Sequence, residues 1–187
     1  MFNDNYLWYE SSQRNKLNEQ AMKKLLLIVS LIWITSCNEE EEVSDYTGNQ
    51  VTYDLIQSSD FPIQGTATFR ERRDSNIELL IELTGTEGEI EHPAHLHYGD
   101  VSTSDAEVAK LLLPVRGTSG KSVTIFNRLN DETLITYNDM LTFDGHIKVH
   151  LDGGANKSTI LASGNIGSAY TKNPSTGRKD VSDCKME

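Results

Sequence analysis

An all-β fold, an antiparallel sandwich or barrel with one short helix, is what this sequence predicts. Three observations lead to it. Between residues 50 and 168 apolar and polar residues alternate in short runs, the mark of strands with one face in a core. Turn-forming residues separate those runs at similar spacing. Helical patterning is confined to one stretch near the C-terminal third.

The elements follow in order. Val51-Thr52-Tyr53-Asp54-Leu55 opens, and Gly65 to Arg70 continues. Ile77 to Leu83 comes next, bounded by Thr84-Gly85 and by Gly88. The segment around His95 and His97 is read as extended. Ser104-Asp105-Ala106-Glu107 has the pattern of a capping box, so Val108 to Leu113 reads either as a helical turn or two or as a strand ending at Pro114. The strand is preferred. Lys121 to Asn127 is a strand. Thr136 to Phe143 is the short helix, with Thr136 as its cap and Asp139 three residues on. Gly145 to Leu151 and Ser158 to Ile166 close the domain, joined by a hairpin turn at Asp152-Gly153-Gly154-Ala155-Asn156.

Ahead of this domain lies an address label. Met22-Lys23-Lys24 precedes an almost wholly apolar run from Leu25 to Ile34, then Thr35-Ser36-Cys37. A basic start, a short apolar centre and small residues before a cut describe a secretory signal over 22–36. The apolar run is too short for a membrane span, which needs about twenty residues. Residues 1–21 read as an extension upstream of the true start at Met22. Ile34-Thr35-Ser36-Cys37 resembles the lipobox of bacterial lipoproteins, which implies lipidation of Cys37 and attachment to a membrane through acyl chains. Residues 37–49 form an acidic tether. Its run Glu39 to Glu42 resembles the export signal that carries lipoproteins of the Bacteroidetes group to the outer face of the outer membrane. The expected location is therefore the cell envelope, on the periplasmic or the cell-surface side. Residues 169–187, polar and holding Cys184, read as a disordered tail, and no disulfide is expected.

Charge excludes one class of partner. Acidic residues outnumber basic ones 28 to 17, a formal net charge of −11. Such a surface repels phosphate backbones, so nucleic acid is not expected as a partner.

The chemistry lies in the histidines. All five fall in two segments, His92-Pro93-Ala94-His95-Leu96-His97 and His146-Ile147-Lys148-Val149-His150. Strand side chains alternate with period two, so His95 and His97 share a face, as do His146 and His150. Clustered neutral imidazoles suit Cu(II), Zn(II) or Ni(II). The plainer alternative is that they pack and hydrogen-bond without metal. No Gly-x-Ser-x-Gly nucleophile motif and no glycine-rich phosphate loop is present.

Glu91 to Asp100 resembles the histidine-rich segment of small secreted bacterial proteins of the CHRD (chordin-type) class. The resemblance returns at Phe143 to Leu151 and at Ile160 to Gly167, and spans roughly 50–168. It implies a β-sandwich, and members of that class are typically lipoproteins or secreted proteins. More distantly, His95-Leu96-His97-Tyr98-Gly99-Asp100, Val149-His150 and the closing Gly164 to Gly167 resemble Cu/Zn superoxide dismutase, which implies a Greek-key-like barrel. By that match His95, His97 and His150 take the roles of copper ligands, with His92 as the natural fourth and His146 ranked last. The dismutase zinc loop and bridging histidine have no counterpart. Its guiding arginine would fall near Ile160, and its closing-strand cysteine at Ser163. The expectation is a non-enzymatic envelope lipoprotein that binds copper or zinc. The alternatives are a copper-dependent superoxide dismutase-like enzyme and a metal-free structural or adhesive surface module.

Overall fold

The computed structural model describes residues 44–103 and 105–172. The signal segment 22–36, Cys37, the run Glu39 to Glu42 and Cys184 lie outside those residues. Eight strands and two short helices make up the described domain. They are β1 (Tyr46–Gln57), β2 (Gln64–Arg72), β3 (Ile77–Thr84), β4 (Glu91–Tyr98), β5 (Val108–Arg116) and β6 (Lys121–Phe126), then α1 (Tyr137–Thr142), β7 (Asp144–His150), β8 (Ile160–Ile166) and α2 (Gly167–Lys172). The strands close into a barrel in the order β1-β2-β3-β6-β5-β4-β7-β8, with every neighbouring pair antiparallel. Strands β4, β5 and β6 are successive neighbours and β7 returns beside β4, the arrangement of a Greek key. The all-β expectation holds.

Two of the eight junctions are thin. Strands β1 and β8 pair only at Ile56–Ser163 and Gln57–Ala162, and β5 and β6 only at Arg116–Lys121. The barrel is thus two four-stranded sheets, β1-β2-β3-β6 and β5-β4-β7-β8, joined along their edges. Side chains bridge the second junction where the ladder fails. Leu113 N donates to Thr124 Oγ1 at 2.9 Å, and Ser122 Oγ donates to Leu113 O at 2.6 Å. Between the sheets lies the core, with Phe69, Leu79, Ile81, Leu96, Ile147, Val149 and Ile166 almost fully buried. Each such side chain contributes about 1.5–3 kcal/mol.

Strand β5 runs past Pro114 to Arg116, where the sequence suggested an end. The register explains this. His92 pairs with Val115 and Ala94 with Leu112, so β5 advances three residues while β4 advances two. Pro114 falls in that bulge, where a missing N–H breaks no ladder bond. The strand start is also earlier than the alternation suggested, because β1 begins at Tyr46. Polar contacts extend it: Tyr46 Oη donates to Glu78 Oε2 at 2.5 Å, and Thr47 Oγ1 and Asn49 Nδ2 donate to Glu71 Oε2 at 2.7 and 2.8 Å.

Helix α1 forms as its cap predicts. Asp139 N donates to Thr136 Oγ1, while Thr136 N donates to Asp139 Oδ2 at 2.8 Å. Helix α2 was not expected, since residues 169 onward read as a polar tail. Its Ala169 is buried and the Tyr170 ring meets Tyr53 edge-on at 5.2 Å. Two apolar contacts within a polar stretch suffice to fold the start of that tail onto the barrel.

Gly164 on β8 gives a stability prediction. A Cβ there would run into the backbone carbonyl oxygen of Asp54 on β1. Gly164→Ala is expected to lose about 1–3 kcal/mol, the range for overpacking, seen as a lower urea midpoint at unchanged slope.

Candidate metal centre

Strands β4 and β7 are neighbours, with His95 opposite Lys148 and His97 opposite His146. Counting in twos places His95, His97, His146, Lys148 and His150 on one face of this sheet. Ala94, Leu96, Ile147 and Val149 take the other face and belong to the core. The histidine face therefore points away from the barrel interior. It is buried all the same: His97, His146, Lys148 and His150 are 0% exposed and His95 6%.

Two connections close over it. One follows β4 from Gly99, and the other joins β7 to β8 across 151–159. Their carbonyls fix the rings. His97 Nδ1 lies 3.0 Å from Ala106 O, His146 Nδ1 2.7 Å from Gly99 O, and His150 Nδ1 2.7 Å from Lys157 O. A carbonyl can only accept, so each of these Nδ1 atoms carries the proton and donates it. The lone pair then sits on Nε2, the tautomer a metal needs. The first connection is itself pinned by Asn165 of β8, which accepts from Val101 N at 2.8 Å and donates to Asp100 Oδ2 at 2.6 Å. Asp152 holds the second, accepting from Gly154 N and Asn156 N through Oδ1, so the expected turn is present.

Three of the histidines converge. One ring nitrogen each from His95, His97 and His150 lies within 4.8 Å of the others. Among the described residues no carboxylate oxygen joins that group. His95 Nδ1 and His150 Nε2 are buried without a hydrogen-bond partner, an arrangement that leaves a desolvation penalty unless something coordinates them. The His95 ring lies 5.0 Å from that of His150 and 5.7 Å from that of His97. Burial, reinforced by the neighbouring His150 and His97, pushes His95 down to about 4. His97 is likewise held at about 4 by burial, against the opposing pull of its bond to Ala106 O. Burial lowers His150 as well. At neutral pH all three are uncharged and able to ligate. The donor set fits a transition metal ion: three neutral imidazoles, all buried, two with unsatisfied nitrogens.

The fourth-place residues fall differently. His92 is buried, and its Nδ1 donates to Leu151 O at 2.8 Å. It stands three residues from His95, an odd number, so strand parity turns it to the other face. Its nitrogens are not in the convergent group. His146 shares the face and stacks on His97 with ring centroids 5.0 Å apart and planes 8° from parallel. Its Nε2 is buried and unpartnered, and burial holds it at about 4. It flanks the triad without joining it.

Sequence reading passed over Lys148, the two covering connections and Asn165. The parity that aligned His146 with His150 places Lys148 between them, so that signal was available.

No family model matches this chain, and neither any curated protein nor any solved structure was found to be similar to it.

Proposed function

We propose that this protein is a metal-binding envelope lipoprotein that holds one transition metal ion, copper or zinc, between His95, His97 and His150. The observation that carries the reading is the convergence of three buried, uncharged imidazoles, two of them with nitrogens that nothing else satisfies. The resemblance of the Ile34-Thr35-Ser36-Cys37 segment to a lipobox supports anchoring through Cys37. A role in holding metal rather than in catalysis follows from what the dismutase resemblance lacks. Ile160 stands where that resemblance would place a guiding arginine, and an apolar side chain cannot steer an anion.

Metal content per chain tests the proposal. The full chain is equilibrated with copper or zinc, passed through a desalting column and analysed. Close to one ion per chain is expected for the parent, and none for His95→Ala or His150→Ala. Variants that retain the parent's content would show that the acidic surface holds the ions instead. Superoxide decay by the copper-loaded parent, no faster than free copper with a chelator present, is the expected result. A faster rate would favour the enzyme.

A further inference from the structure

The outer face of the barrel changes character from strand to strand. Gln50, Thr52 and Asp54 of β1 are ladder partners of Arg70, Thr68 and Thr66 of β2, and all six are polar. Leu80 of β3 pairs with Thr68 on one side and with Val123 of β6 on the other, and from there the same face turns apolar. Val123 is 43% exposed and Ile125 50%, and Leu111 and Leu113 of β5 are 60% and 59% exposed. Leu113 and Val123 line one cleft with Arg116 and Lys121, so the surface continues across the thin β5–β6 junction. The backbone along that junction is already satisfied. Leu111 N donates to Asn130 Oδ1 at 3.2 Å, and the hydroxyls of Thr124 and Ser122 cap Leu113. Strand addition at these positions would break bonds already made, which leaves face-to-face contact.

The two ends of β5 carry opposite charge. Glu107 precedes the strand's first residue and Arg116 is its last. Both are exposed, and neither makes an ion pair or a side-chain hydrogen bond among the described residues. Beside Arg116 stands its ladder partner Lys121, bound to Glu82. At the Glu107 end the turn after β6, joined to β5 through Asn130, adds Asp131 and Glu132 against Arg128.

We infer that this face pairs two copies of the chain about a two-fold axis. The axis lies between the facing sheets and crosses β5 at Leu112, the middle of Val108–Arg116. It sets Leu111 of each copy against Leu113 of the other, β6 against β6, and Glu107 beside Arg116 at both ends of the contact. An isologous contact needs a surface complementary to itself. An apolar centre between opposite charges meets that need, and contiguous exposed apolar side chains supply the drive. A bilayer of anionic lipid would attract the Arg116 end and repel the Glu107 end. The chain's formal charge of −11 opposes pairing only weakly at physiological salt, where exposed charges more than about 8 Å apart are screened.

Sedimentation velocity of the full chain at physiological salt, from low to high micromolar concentration, tests the pairing. A monomer–dimer equilibrium is expected. Leu113→Asp and Ile125→Asp should each give a monomer throughout. Both side chains are exposed, so the fold is not at stake, and near-ultraviolet circular dichroism checks it. Glu107→Arg alone, or Arg116→Glu alone, should weaken the dimer about tenfold, because two symmetry-related pairs turn from attraction to repulsion. The variant carrying both changes should regain the parent's dissociation constant, a recovery specific to a contact that sets these two residues against each other. A parent that stays monomeric overturns the proposal. So does a dimer that Leu113→Asp and Ile125→Asp leave intact, which would put the contact on another part of the chain. Single reversals with no recovery in the double variant would overturn the two-fold arrangement. A monomeric parent that binds anionic vesicles, and loses them in Leu113→Asp, would assign the face to a membrane instead.

Discussion

Metal-free protein taken from pH 7 to pH 4.5 is expected to lose most of its stability, with the loss beginning near pH 6.5. His95, His97 and His146 are each held at about 4 in the folded chain, against about 6.5 when unfolded. Between those values the unfolded chain binds protons that the native one refuses. Stability therefore falls as pH falls, and above pH 6.5 these groups contribute no slope. Each refused proton is worth about 1.4 kcal/mol per pH unit, so three give at most about 4 kcal/mol per unit. Over the two units from pH 6.5 to 4.5 the loss reaches at most about 8 kcal/mol, a large part of a total stability of about 5–15 kcal/mol. Urea midpoints measured every half unit would show it. A flat profile from pH 7 to pH 5 would mean that the imidazoles are hydrated and the pocket is not closed. Bound metal should move the share due to His95 and His97 to lower pH, because ligation competes with protonation, and leave that of His146 in place.

A second large effect separates a metal site from a set of packing histidines. His95→Leu is expected to abolish metal binding while leaving the metal-free protein as stable as the parent or up to about 1 kcal/mol more stable. Its buried Nδ1 has no partner to lose. His150→Leu should also abolish binding but cost about 1–3 kcal/mol, because it strands the Lys157 carbonyl that now accepts from Nδ1. Thermal melts of both variants without metal give the comparison. Should His95→Leu destabilise as much as His150→Leu, His95 would be a structural residue and the triad would lose its best argument. A gain in stability on removing a residue is the usual sign that function keeps it there.

Much of this site could be read from period-two alternation alone. His95 and His97 had to share a face, and the segment from His146 to His150 repeats the same parity. The pairing of β4 with β7 then brings the two together, a long-range fact that a local pattern cannot contain. His92, which the dismutase resemblance offers as a fourth ligand, stands outside the convergent group, since three residues along a strand means the opposite face. The cover was illegible because it works through backbone. Gly99, Ala106 and Lys157 contribute carbonyls, which any residue carries. In the fold, the strands announced themselves where alternation was clean, as in β3 and β6. They did not where polar contacts extend a strand, at Tyr46 to Gln50, or where a bulge absorbs Pro114. Helix α2 escaped notice because its anchors are only Ala169 and Tyr170 in a polar run.

The alternation along β4 and β7 also bears on how the chain must fold. Residues that hold the domain together and residues that would hold the metal are interleaved one by one on the same two strands. A slip of β7 by a single residue against β4 would turn His146, Lys148 and His150 into the hydrocarbon interior and expose Ile147 and Val149 in their place. Such a misfolded form has no stable core and no site. A register error on these strands therefore costs the core and the pocket together, and correct assembly of the barrel doubles as proofreading of the pocket.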